Sequence, residues 1–260
     1  MLKIVLSFDD GRRDNFRAAE EILKPLNIPA TFNITTGYIL QDIDEKDKPG
    51  PHDPMTLREL EDIARCHLFE IAGHGYKHNN DINNLLYGVQ KLRELLPGVY
   101  INGVASPHSE FDLSEIQTAH SEFLENDIYY LRISNDYTKM NKTKIWLRRF
   151  NRIIHSSKLY KWVNIDSIEY EGKFLLHSFP VIRDNKLKEI EDLLDSLAAN
   201  SLEKDQICIL MFHSILKQEE KFYSDLFTWD YDDFKELCAK LNRMQMTRQL
   251  SIIKTVDLFH

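Results

Sequence analysis

At 260 residues the chain is long enough to bury one sizeable core, and its 43% hydrophobic and 28% charged content is that of an ordinary globular protein. A net charge of -8 argues against general affinity for nucleic acid and against docking on an anionic membrane, because clustered Lys and Arg make such contacts. The three cysteines, Cys66, Cys208 and Cys238, are far apart and form no C-x-x-C, which suits buried thiols in a reducing compartment rather than a disulfide framework.

Short apolar runs alternate with helical patterns from end to end, with no internal repeat. The predicted strands cover residues 2–7, 30–35, 68–72, 100–106, 128–133, 174–179, 207–212 and 250–255. Helices are predicted between them, over 15–26, 56–65, 82–96, 113–125, 186–199 and 231–241. Thr56 with Glu59, and Asp112 with Glu115, have the spacing of a capping box. Pro25 and Pro29 punctuate the end of the first helix. Residues 135–172 are less regular and read as an insertion or a pair of extra strands in one domain spanning 1–260. The basic cluster at 139–152, interleaved with Trp146 and Phe150, reads as a solvated strand or loop edge. No segment approaches the ~18 apolar residues that a membrane span needs. Asp9, Asp10, Arg12 and Arg13 interrupt the opening apolar run too soon for a signal peptide, so a cytoplasmic location is expected.

Strands alternating with helices imply βα units and a parallel sheet, either a barrel or a doubly wound sheet. In both, active sites gather at the C-terminal ends of the strands. Asp9-Asp10, His74, Pro107-His108 and His213 each follow a predicted strand directly, so four strand ends converge on one rim. An Asp and two His can hold a divalent ion while a second Asp stays free as a base. Gly11 permits a tight turn that presents both aspartates to one cleft; read alone, the pair would more often be a helix cap and turn. His74 and His78 have the i, i+4 spacing of two imidazoles on one helical face, with a polar loop as the equal alternative. His213 suits a proton donor at a strand exit, whereas His177 reads as core. Tyr76, Trp229 and Tyr231 could stack on a sugar ring, with packing an equal alternative.

These residues resemble the polysaccharide deacetylase family, the NodB-type domain of carbohydrate esterase family 4. The first family motif, [ST]-F-D-D-G, is matched by Ser7-Phe8-Asp9-Asp10-Gly11, and H-[ST]-x-x-H is similar to His74-Gly75-Tyr76-Lys77-His78. Pro29-Ala30-Thr31-Phe32 looks like the family's second strand, and Ile209-Leu210-Met211-Phe212-His213 like its last motif. The third motif is matched only by Ala105-Ser106-Pro107-His108-Ser109, without the arginine that would orient the base; Arg148 or Arg149 is the candidate replacement, from a later strand. The tryptophan-bearing fourth motif has no clear match.

The resemblance implies a single-domain distorted (β/α) barrel of about seven parallel strands, NodB-like. It implies a metal-dependent hydrolase that removes an N-acetyl group from a carbohydrate. Asp10, His74 and His78 would hold a divalent metal, zinc first among candidates; Asp9 would be the base and His213 the acid. Pro107 and His108 would contribute to the oxyanion and substrate site. The expected partner is an N-acetylated carbohydrate, and a cytoplasmic location points to a nucleotide- or lipid-linked precursor of a surface polysaccharide. Three other readings compete. They are a non-carbohydrate amide hydrolase (a ring-opening amidase or deformylase), a carbohydrate-binding homologue without turnover, and a non-heme iron oxygenase using the same ligand types.

Overall fold

The computed structural model describes residues 1–109, 113–134, 142–154, 156–163, 168–169, 174–200 and 206–259. Seven parallel strands close into a barrel: β1 (Leu2–Phe8), β2 (Ala30–Ile34), β3 (Phe69–Gly73), β4 (Gly103–Ala105), β5 (Tyr130–Ser134), β7 (Leu175–Pro180) and β8 (Gln206–Phe212). Closure is made by β1 against β8 over the full strand, from Leu2 opposite Gln206 to Phe8 opposite Phe212. The barrel is distorted where two strands splay. β11 (Leu250–Ile252) pairs with the lower half of β1, and β2 pairs only with Ser7 and Phe8 at its top. Similarly, the short antiparallel β6 (Ile168–Glu169) pairs with Ile207 and Cys208, below the register that β7 occupies.

Strand alternation sorts the sequence into an outer and an inner core. Phe8, Phe32 and Phe212 face outward, Phe8 lying 5.0 and 5.5 Å from the other two ring centroids, and Phe8 and Phe212 meet Phe234 of helix α9 (Tyr231–Met246) edge-on. Val5, Ala72, Tyr130, Leu176, Ile207 and Ile209 face the lumen and form a second, smaller cluster. Ser7, Asp9, Asn33 and Arg132 share that lumen face one layer nearer the C-terminal rim, and Glu70 and Thr31 lie one layer toward the other end.

The remaining helices cover the barrel, among them α2 (Thr36–Leu40), α3 (Leu57–Arg65), α4 (Ile82–Leu95), α5 (Leu113–Glu125) and α8 (Leu187–Asn200), and a separate short pair joins β9 (Ser214–Leu216) to β10 (Thr228–Asp230). The Thr56 capping box forms as expected, with Thr56 Oγ1 accepting from Glu59 N–H and Glu59 Oε2 from Thr56 N–H. Its counterpart at Asp112 lies outside the described residues. Three expectations need correction. The first predicted helix begins as α1 (Arg13–Ala18) but widens into a π turn over Ala19–Leu23 before Pro25 ends it. The segment read as extra strands instead carries two helices, α6 (Lys142–Ile154) and α7 (Ser157–Val163), and only a two-residue strand. The basic cluster is therefore helical. Trp229 and Tyr231 are buried in the core, which removes them as sugar platforms. Among the described residues no helix is long and apolar enough to cross a membrane.

Candidate metal centre at the barrel rim

β1 delivers Asp9 into the lumen with its N–H donated to Phe212 O at 2.9 Å. Strict alternation would then turn Asp10 outward. Instead Asp10 (φ 78) and Gly11 (φ 82) both take positive φ, and the chain folds back so that Asp10 also faces the rim. A side chain at Gly11 would in addition press on Ile39 and Ile34 at 3.1–3.3 Å.

Asp10 is fully buried, and its Oδ1 meets His74 Nε2 at 3.4 Å and His78 Nε2 at 3.3 Å. That oxygen has no hydrogen-bond partner. The three ligand atoms lie within 4.8 Å of one another. His74 Nδ1 sits 2.9 Å from Ala105 O, a contact that only an N–H can make, so in the neutral imidazole Nε2 presents a lone pair inward. Gly75 (φ 80) lets the chain turn between the two histidines; a Cβ there would collide with Lys77 O and Asn84 Nδ2 at 2.6 Å. An orphaned carboxylate oxygen facing two imidazole nitrogens fits a divalent cation, and two His with one carboxylate is a known zinc set.

The other oxygen of Asp10 is held by Arg12, whose Nε donates to Oδ2 at 2.8 Å. Arg12 also donates to Ser214 Oγ and Pro49 O. Burial pushes the Asp10 carboxyl up, but Arg12 and the two histidines outweigh it and keep it well below the carboxylate range. Asp9 is bound differently. One Arg132 nitrogen donates to both its oxygens at 2.6 and 2.7 Å, and Asn33 Nδ2 donates to Oδ1 at 2.9 Å. Burial again opposes ionisation, and Arg132 with His74 and His213 reverses it, leaving the pKa below its ordinary value.

The other predicted residues line the same rim. His213 follows β8; its Nδ1 is buried without a partner and its ring lies 4.8 Å from Phe227. Burial holds its pKa down at about 4. Pro107 is buried and starts a short turn in which His108 takes φ 55. The His108 ring packs edge-on against His78 at 4.4 Å, with Nε2 3.2 Å from His78 O, so it braces the second histidine.

The family model for polysaccharide deacetylase matches residues 2–138, more than half of the sequence. The chain belongs to the polysaccharide deacetylase family. Among solved structures, a protein of Mycobacterium smegmatis described as a polysaccharide deacetylase aligns over 99% of this chain and 88% of its own, at 16% identity and TM-score 0.58. The peptidoglycan N-acetylglucosamine deacetylase Bc1960 aligns over 98% and 87%, at 11% identity and TM-score 0.53. At such identities the likeness is one of fold. This chain spans 63% of the de-N-acetylase of Aggregatibacter actinomycetemcomitans, matching over 51% of its own length at 15% identity and TM-score 0.39. No curated protein sequence matches the chain.

Against the family pattern, the missing cation is found elsewhere than expected. Arg149 is exposed on α6, and the Arg148 side chain lies outside what the structure describes. Arg132 of β5 takes the place beside Asp9, buried to 1% exposure and steadied by Ser178 Oγ and Met211 Sδ at 2.8 Å. Its signal was available: a lone arginine in the apolar run Tyr130-Leu131-Arg132-Ile133 has to meet a buried anion. Arg12 and Asn33 carried no comparable signal.

Proposed function

We propose that the protein is a metal-dependent carbohydrate N-deacetylase, with zinc as the cation. The observation that carries this reading is the partnerless Oδ1 of Asp10 facing His74 and His78, beside a second carboxylate held ionised but left out of the ligand set. Asp10, His74 and His78 are the proposed ligands. When bound, a divalent cation supplies Lewis-acid chemistry: it acidifies water and polarises an acyl oxygen.

Asp9 is the proposed base. Arg132 and Asn33 fix its carboxylate and keep it deprotonated, ready to take the proton of the attacking water. Charge developing on the acyl oxygen would be met by backbone N–H groups at the turn of Pro107 and His108, of which only His108 can donate. His213 is the proposed donor to the departing amine. Burial keeps it neutral at rest, so this role requires it to gain a proton during turnover, and the proton removed by Asp9 is the source. A nucleotide- or lipid-linked N-acetyl sugar remains the proposed substrate class.

The test joins elemental analysis of the purified protein to an acetate-release screen over N-acetylated sugars and cyclic ureides. Stoichiometric zinc with acetate released from a sugar is the expected result. Release only from ureides would transfer the site to the amidase reading, and bound metal without any release would make the protein a binding homologue.

A further inference from the structure

Helices α6 and α7 form a surface that the proposed reaction does not use. Residues 142–163 contain seven of the chain's 33 lysines and arginines and none of its 41 aspartates and glutamates. An acidic protein thus concentrates positive charge on one helical pair. The same pair exposes five large apolar side chains among the described residues. Trp146 is 60% exposed, Ile153 75% and Trp162 51%, and Phe150 and Ile154 are also open to solvent.

Positions 146, 150, 153 and 154 follow the i, i+4, i+7, i+8 spacing of one helix face. Trp146 and Phe150 stack on it with centroids 5.3 Å apart and planes 5° from parallel. Lys144 Nζ lies 5.8 Å above the Trp162 ring, which joins the two helices into one surface. The opposite side of α6 is tied to the protein: Asn151 is buried, donates to Glu189 of α8 at 3.5 Å and accepts from Ser156 N–H. The apolar stripe is therefore the side turned away from the body, and Arg149 and Lys158 are exposed with it.

We propose that the α6–α7 face docks the protein on an anionic lipid surface. Tryptophan suits the boundary between headgroups and acyl chains, and a basic helix with aromatic and aliphatic residues on one side lies in that plane. Lysines and arginines would meet the anionic headgroups. The charge argues against the competing occupants. A second copy on a twofold axis would set this basic segment against its own like charge. A nucleic acid would use the cations and the tryptophans but leave Ile153 and Ile154 without a partner. The low net charge that spoke against membranes averaged this segment with the rest of the chain.

Vesicle binding tests the proposal without reference to activity. The full chain is sedimented with phosphatidylcholine vesicles, alone or mixed with phosphatidylglycerol, while tryptophan emission is recorded. Trp229 is buried, so a shift reports on Trp146 and Trp162. Binding to the mixed vesicles should be at least roughly tenfold tighter, fall with salt, and blue-shift the emission. Brominated lipid should quench it. The pair Trp146→Ser and Ile153→Ser should lose the shift, and the pair Arg149→Glu and Lys158→Glu should weaken binding by roughly tenfold, with circular dichroism unchanged in both. No sedimentation, or binding that both variants retain, overturns the proposal. Self-association lost in Trp146→Ser, or retention on single-stranded nucleic acid, without vesicle binding would overturn it equally.

Discussion

The two ends of the barrel lumen each bury carboxyl groups, and they treat them in opposite ways. At the C-terminal rim Asp9 and Asp10 each meet an arginine, Arg132 and Arg12, and both stay ionised. At the other end Glu70 meets only neutral donors. Tyr130 OH donates to Oε1 at 2.8 Å, and Thr31 Oγ1 and Val256 N–H donate to Oε2 at 2.8 and 3.0 Å. Burial then wins and raises its pKa. Glu70 leaves neither oxygen without a partner, whereas Asp10 leaves one. The lesson is that burial of an acid does not mark a site. A carboxylate kept charged from one side, with a lone pair open on the other, does.

The comparison breaks most visibly if the open lone pair is given nothing to share. His74→Ala should abolish both bound metal and turnover, because the remaining pair cannot enclose a cation. Wild-type metal content in that variant would refute the ligand assignment. Asp9→Asn should keep the metal and lose at least ~100-fold in rate, the usual share of an acid–base group. Full activity would remove Asp9 as base. Arg132→Met makes the rim resemble the far end by taking away its cation. It leaves Asp9 buried and unpaired, a change of about 3–5 kcal/mol in stability measured by denaturant unfolding. Adding Asp9→Asn to Arg132→Met should restore part of that loss. Additive losses would show that the two side chains do not act as a pair.

The same contrast explains what could be read from the sequence. The strands were legible because apolar runs such as Ile207–Phe212 are bounded by polar breaks, and the aspartates and histidines because each stands at the end of such a run. The family motifs carried Asp9, Asp10, His74, His78 and His213. What they could not carry was the set of cations around them. Arg12 gains its partner only because Asp10 turns back at positive φ, and Arg132 reaches Asp9 across 123 positions. Helix α6 was misread for a different reason. Its charge density masked the four-residue spacing of Trp146 and Phe150, a helical period.

The finest test concerns pH, where the two ends should act with opposite sign. Asp9 and Asp10 have folded pKa values below their ordinary 3.8, so their ionisation supports the fold above that value and the support is lost as pH falls through the folded values. Glu70 has a folded pKa above its ordinary 4.5, so over the interval between the two the folded chain binds more protons than the unfolded one. The contribution of Glu70 must then decline as pH rises through that interval and level off beyond it, against the rise that His213 gives with its folded value of about 4 below an ordinary 6.5. Glu70→Gln cannot ionise and should lose this decline while keeping the acid limb. The substitution itself should change stability by only about 1 kcal/mol, since the amide oxygen still accepts while its NH₂ cannot. Urea unfolding across the acid to neutral range, in parent and variant, gives the answer. A difference in stability between parent and variant that stays constant across this range would place the protonation elsewhere than at the closed end of the lumen.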